Sequence, residues 1–282
     1  MNNIVLLVYL SFYIPLGIIT QGLTSLNTPA ATERHEEAPK TNAAPSTAAI
    51  PSVYAVIVGI ADYEGYRSDL RYADDDAVTF CRQLKSAMPR ETEAGDVRLL
   101  LNSEATEERV LETIREVFAK ADENDFIIFY FSGHGSPGYF CPADISTGRL
   151  SHSTIKAYFK RSKANYRLCI ADACFSGSIG QATGSTATSA ANSMRDVRLA
   201  VIMSSRPNQT SSENGLIKQG LFTYYLNAGI KGAADLNDDT YVTAGELFIY
   251  TKRRVSEESG GKQVPIIFGQ NLDRIPLSKI KK

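Results

Sequence analysis

Phe126-Ile127-Ile128-Phe129-Tyr130-Phe131, followed at once by Ser132-Gly133-His134-Gly135-Ser136, is the stretch from which the fold can be read. Six consecutive large, mostly apolar side chains suit a strand buried on both faces, and the abrupt change to small and polar residues marks its carboxyl end. Four comparable runs surround it: Val53-Tyr54-Ala55-Val56-Ile57-Val58-Gly59-Ile60, then residues 97–101, 167–171 and 199–204. Between the runs the apolar spacing becomes helical. In 106–121 Val110, Ile114 and Val117 recur one turn apart beside Leu111 and Phe118, with Glu107 and Glu108 in the first turn, where the helix dipole favours acid. Residues 74–87 and 151–161 show a similar pattern. Strands alternating with helices predict an α/β domain: a mostly parallel sheet with helices on both faces.

Outside this region the chain changes character. An apolar run from Ile4 to Ile19, broken by Ser11, Pro15 and Gly17, makes 1–21 a signal peptide or membrane anchor. No Lys or Arg precedes the run and no small-x-small cleavage site follows it; it is also shorter than the roughly 20 residues of a spanning helix. Export to the cell envelope or beyond is expected, with the membrane reached only through this segment if it is retained. Residues 22–52 are Ala, Pro, Thr, Ser and charge, the composition of a disordered linker, which leaves 53–275 as the folded domain. Across the 282 residues, 30 Lys+Arg balance 31 Asp+Glu, so no surplus positive charge is available to hold a phosphate backbone and nucleic acid is excluded as an expected partner. Four cysteines with no C-x-x-C pair fit neither a disulfide scaffold nor a zinc ribbon.

In open parallel sheets functional groups gather beyond the carboxyl ends of the strands. Two ends stand out here: Ser132-Gly133-His134-Gly135-Ser136 and Asp172-Ala173-Cys174-Phe175-Ser176-Gly177. Neighbouring strands would bring His134 and Cys174 to adjacent edges, as nucleophilic cysteine catalysis requires: a thiolate to attack and an imidazole to activate it and protonate the leaving amine. Glycines beside His134 admit a substrate backbone, and the Gly135 and Cys174 amides could together form an oxyanion hole. Cys81 and Cys169 read as buried small hydrophobes. Cys141 reads as a loop residue open to bridging with Cys81, and His152 as a solvated residue of a first helical turn.

These segments resemble the caspase and metacaspase cysteine endopeptidases, most closely the bacterial and metacaspase-type members. The resemblance spans 53–269 and also includes Ala73-Asp74-Asp75-Asp76-Ala77, Ser204-Ser205-Arg206-Pro207-Asn208-Gln209, Gly220-Leu221-Phe222-Thr223 and Gln263-Val264-Pro265-Ile266-Ile267-Phe268-Gly269. It implies a caspase-like three-layer sandwich acting on peptide or protein substrates. His134 is then the general base, Cys174 the nucleophile, and Gly135 with Cys174 the oxyanion donors. Animal caspases carry Gln-Ala-Cys-x-Gly at the nucleophile, whereas this chain has Asp172 in place of the Gln. Two residues before Cys174 in an extended strand end, Asp172 points to the same side as the nucleophile. The resemblance puts Asp76 at a second pocket carboxylate and Leu70 where an aspartate-specific pocket needs Arg. Arg or Lys before the scissile bond is therefore the expected preference. The competing expectation is a catalytically silent module of the same fold that binds a peptide or protein partner.

One further constellation lies downstream. Asp235, Asn237, Asp239, the Tyr241 carbonyl, Thr243 and Glu246 occupy positions 1, 3, 5, 7, 9 and 12 of an EF-hand calcium loop. Thr240 stands where that loop carries glycine, and the alternative reading is a polar turn capping the helix that starts near Thr243. Calcium is thus a possible ligand, while the chemistry itself needs no cofactor.

Overall fold

The computed structural model describes residues 51–65, 69–88, 93–136, 138–173, 199–204, 213–214, 219–269, 272 and 275–280. The N-terminal segment, Cys174 and the 204–209 motif beyond Ser204 lie outside the described residues. In chain order the elements are β1 (Ser52–Gly59), α1 (Ala73–Ala87), β2 (Glu93–Leu101), α2 (Glu107–Phe118), β3 (Phe126–Ser132), β4 (Gly135–Ser136), β5 (Tyr139–Phe140), β6 (Leu150–Ser151), α3 (His152–Arg161) and β7 (Tyr166–Asp172). They continue as β8 (Leu199–Met203), β9 (Glu213–Asn214), β10 (Gln219–Gly220), α4 (Leu221–Ala228), β11 (Tyr241–Thr243), α5 (Ala244–Glu258), β12 (Ile266–Phe268) and β13 (Pro276–Lys279).

Among the described residues one sheet has the order β12-β8-β7-β3-β1-β2. Its β2/β1, β1/β3, β3/β7 and β7/β8 pairs are parallel; only β12 runs antiparallel to β8. The predicted α/β architecture is therefore present, and the five strand runs read from sequence are its parallel members. From β1 the chain steps to β2 on one side and to β3 on the other. That reversal opens a crevice at the carboxyl edge between β1 and β3, the usual place for a ligand in such sheets.

Period-two alternation sends side chains into two cores. Val56 and Val58 of β1, Ile127, Phe129 and Phe131 of β3, and Cys169 and Ala171 of β7 pack toward α2 and α3. Ala55 and Ile57, Ile128 and Tyr130, and Leu168 and Ile170 pack toward α1, α4 and α5. Helix α2 starts where Thr106 accepts the Arg109 N–H in its cap, and it buries Val110, Ile114 and Val117 as its spacing predicts. Tyr130 stacks on Phe80 of α1 with ring centroids 4.3 Å apart, tying the central strand to its covering helix.

This layering corrects two expectations. Cys141 is buried and belongs to the core on the α2/α3 face, whereas Cys81 sits in the core on the other face. The sheet stands between them, so a bridge is excluded, and both are free thiols. His152 is 3% exposed, not solvated, because α3 begins directly from β6 and turns its first side chain under the β4–β5–β6 hairpins, where the ring meets Phe140 at 4.4 Å.

Candidate active site

Strands β3 and β7 are neighbours in parallel register, with Ser132 opposite Asp172. The Gly133 N–H continues the ladder by donating to the Asp172 carbonyl at 3.2 Å. His134 thus leaves the sheet one residue after a fixed cross-strand bond. Cys174 follows Ala173, the last described residue of its own strand end. The three cysteines that are described do not compete for the nucleophile's role: burial pushes the Cys81, Cys141 and Cys169 thiols up, away from the reactive thiolate.

The partly exposed His134 heads the hairpin of β4 and β5. Its carbonyl accepts the Cys141 N–H at 2.9 Å. The reciprocal backbone bond of that pair is replaced: the His134 N–H donates to the Tyr63 hydroxyl at 2.7 Å, and that hydroxyl donates to the Cys141 carbonyl at 3.4 Å. With His134 and Cys141 as a bonded pair, the next pair of the antiparallel ladder, Gly135 and Phe140, is the non-bonded kind. The Gly135 N–H therefore points away from β5, as an oxyanion donor must.

On the other face of the sheet the strand ends carry acid. Asp172, 6% exposed, and Asp76, 3% exposed, converge beneath Gly220, the last residue of β10. The Gly220 N–H is shared between the two Asp76 oxygens at 3.1 and 3.2 Å. Thr223, in the first turn of α4, donates to Asp172 Oδ2 at 3.1 Å and shares a 2.7 Å bond with the Tyr130 hydroxyl. Ser132 reaches Asp76 at 3.5 Å from the end of β3. Both carboxylates stand in one buried polar cluster at the carboxyl ends of β3 and β7. The dipole of α1 does not account for Asp76: Asp75 is exposed and the half-buried Asp74 accepts from the Asn102 side chain at 3.1 Å, while Asp76 turns inward onto the sheet.

Sequence reasoning assigned no role to Tyr63, Ser132, Gly220 or Thr223. A signal for Gly220 and Thr223 existed, since both fall in the Gly220-Leu221-Phe222-Thr223 motif. Tyr63 had only its position, four residues past the end of β1 on the crevice side.

The acidic loop lies elsewhere, between α4 and α5. Thr243 and Glu246 form a reciprocal cap on α5, with Thr243 Oγ1 accepting the Glu246 N–H and Glu246 Oε2 accepting the Thr243 N–H. Glu246 Oε1 takes the Leu236 N–H at 3.3 Å, and Asp235 Oδ2 takes the Thr240 N–H at 3.1 Å. The side chains of Asn237 and Asp239 accept from the N–H groups two residues ahead, those of Asp239 and Tyr241. Thr240 holds φ at 75°, the conformation glycine supplies in a calcium loop. Asp235 Oδ1 is buried without a hydrogen-bond partner. No group of three or more His, Cys, Asp or Glu among the described residues is arranged to hold a metal.

Comparison with known proteins agrees with the fold. The chain is similar to a protein of Geobacter sulfurreducens, with 17% identity over 82% of this chain and 100% of that one and a TM-score of 0.58. It is also similar to caspase-1 of the moth Spodoptera frugiperda, with 17% identity over 83% of this chain and 92% of that one and a TM-score of 0.57. These likenesses concern the fold. No curated protein matches the sequence. The caspase-domain profile matches residues 52–275, from the first residue of β1 to the residue before β13, and the chain accordingly belongs to the caspase-domain family.

Proposed function

We propose that the chain is a cysteine endopeptidase that cleaves protein substrates after Arg or Lys. The observation that carries this reading is the parallel pairing of Ser132 with Asp172, which makes His134 and Cys174 the residues two positions past a matched register point on adjacent strands. In the proposed reaction His134 takes the Cys174 thiol proton and the sulfur attacks the scissile carbonyl carbon. The resulting oxyanion is held by the Gly135 and Cys174 amides. Collapse breaks the C–N bond as His134 returns the proton to the departing amine, leaving a thioester that water hydrolyses. Asp76 and Asp172 are proposed to receive the substrate's cationic side chain, because two carboxylates in a desolvated pocket attract a guanidinium or ammonium and repel an acid.

Export through segment 1–21 and calcium in the 235–246 loop are separate proposals. The first is supported by the apolar run. The second is supported by the left-handed Thr240 and the buried Asp235 oxygen, and is opposed by the commitment of Glu246 to the α5 cap.

The test of the catalytic reading uses an arginyl peptide chloromethyl ketone and matched peptides ending in Arg, Lys and Asp. A single adduct on Cys174, absent from denatured protein and from Cys174→Ala, with kcat/KM highest for Arg or Lys, is expected. Turnover retained in Cys174→Ala, or faster cleavage after Asp, overturns it. Peptide binding without turnover or adduct would instead identify a silent binding module.

A further inference from the structure

We infer that Tyr63 is a positioning residue for His134, its hydroxyl wedged into the β4–β5 ladder to set where the imidazole stands at the sheet edge. The inference rests on the reading of His134 as the general base. In an antiparallel ladder the bonded pair of His134 and Cys141 would exchange two direct backbone bonds. Here only one is direct, Cys141 N–H to the His134 carbonyl at 2.9 Å. The other runs through an oxygen, from the His134 N–H to Tyr63 Oη at 2.7 Å and from Tyr63 Oη to the Cys141 carbonyl at 3.4 Å. An inserted oxygen holds the two strands apart on the side of the base. The chain therefore leaves β3 at an angle that a closed ladder would not give.

Three further observations fit a device for orientation. The Tyr63 ring flanks the imidazole directly, with centroids 4.9 Å apart and planes tilted by 37°. The residue before the base has no room for a side chain, since a Cβ on Gly133 would lie 2.5 Å from Tyr63 Oη. The tyrosine itself is fixed at 3% exposure, with its N–H on Asp69 and with Ala61 and Asp62 held by the Asn102 side chain. Burial pushes the phenol well above its ordinary value, so at working pH the hydroxyl keeps its proton and can accept and donate at once.

The expected signature separates positioning from plain stability. In Tyr63→Phe the ring that packs beside His134 remains, and the ladder can close by a direct bond from the His134 N–H to the Cys141 carbonyl. Melting temperature should change little while the base is drawn out of place. Small misplacements of a reacting group cost up to about a hundredfold, so kcat is expected to fall about tenfold or more with KM within about twofold. The acidic limb of the kcat/KM profile, which reports the coupling of Cys174 and His134, should shift. Rates are taken per active site titrated with the arginyl chloromethyl ketone, which removes any loss of folded protein from the comparison. An unchanged kcat per titrated site together with an unmoved acidic limb overturns the inference. His134→Ala is measured alongside: if it is inactive, such a result in Tyr63→Phe removes the positioning role alone, and if it retains turnover, the base assignment falls and this inference with it.

Discussion

Gly220→Ala tests the acid pocket with one methyl group. Gly220 has φ −62° and ψ 135°, a conformation alanine adopts freely, so no backbone strain enters. The added Cβ would instead lie 2.7 Å from Asp76 Oδ2 and 2.8 Å from Asp172 Oδ2. Those separations are well inside ordinary carbon–oxygen contact, and the obstacles are two buried carboxylates. Either the β10 backbone retreats and its N–H leaves Asp76, or the carboxylates move off Thr223 and Ser132. Overpacking of this kind costs about 1–3 kcal/mol, and in a domain of this size each kcal/mol lowers Tm by roughly 2–4 °C. If Asp76 and Asp172 receive a cationic side chain as proposed, the same displacement spoils its seat. Loss of one charge-assisted hydrogen bond, about 1.5–3 kcal/mol, corresponds to about a tenfold to hundredfold drop in kcat/KM for Arg peptides. The assay is calorimetric melting together with kcat/KM on Arg, Lys and neutral peptides. A variant that keeps the parent's melting temperature and its full preference for Arg over a neutral residue would refute the reasoning.

Two other perturbations probe parts of the chain away from the chemistry. In Asp96, hydrogen bonding from Arg98 and then from Lys120 holds the carboxyl below its ordinary value, with contacts of 2.5 and 2.6 Å. The stabilisation is therefore complete above the unfolded carboxylate's value of about 3.9 and is lost as pH falls through the lower folded value. Asp96→Asn should melt slightly lower than the parent at pH 7, by less than about 1 kcal/mol after solvent screening, with the difference vanishing at strongly acidic pH; a difference that persists there would assign Asp96 a packing role instead. Calcium in the 235–246 loop is expected to raise the parent's melting temperature by satisfying Asp235 Oδ1, and Asp235→Ala should cancel the rise. Equal melting in calcium and in chelator would leave the loop as a helix-capping turn.

The parallel core was legible because a strand buried on both faces has to be written as a continuous apolar run. Residues 126–131 are such a run and lie at the sheet's centre. The antiparallel edge strand Ile266–Phe268 was not legible as a strand. Three residues carry no period, and the pairing partner, β8, lies some sixty residues earlier. The side on which Asp172 points could be read from its spacing, because alternation puts it on the face of Leu168 and Ile170. The inward turn of Asp76 could not, since Asp74, Asp75 and Asp76 are alike in sequence and only α1's docking on the sheet distinguishes them. His152 shows the opposite failure: a polar residue at a helix start reads as solvated until the preceding hairpin is known to cover it.

The acidic cluster and the hairpin that bears His134 are carried by opposite layers of the sheet. Ser132 and Asp172 follow the alternation of Ile128, Tyr130, Leu168 and Ile170, so their side chains join Asp76, Gly220 and Thr223 on the α1/α4 face. The hairpin bearing His134 packs through Phe140 and Leu150 into the core on the α2/α3 face, and Tyr63 belongs to that core. On the proposed reading a substrate chain would lie across the carboxyl edge, with its cationic side chain received by the α1/α4 layer and its scissile bond reached by a base carried on the α2/α3 layer. Perturbations should therefore separate. Gly220→Ala should change the ratio of kcat/KM between Arg and neutral peptides, because only the cationic side chain enters its layer. Tyr63→Phe should lower both values by the same factor and leave the ratio untouched, because every substrate uses the same base. If Tyr63→Phe altered the ratio as strongly as Gly220→Ala, the sheet would not be dividing recognition from catalysis, and the two sets of residues would have to be treated as one coupled network.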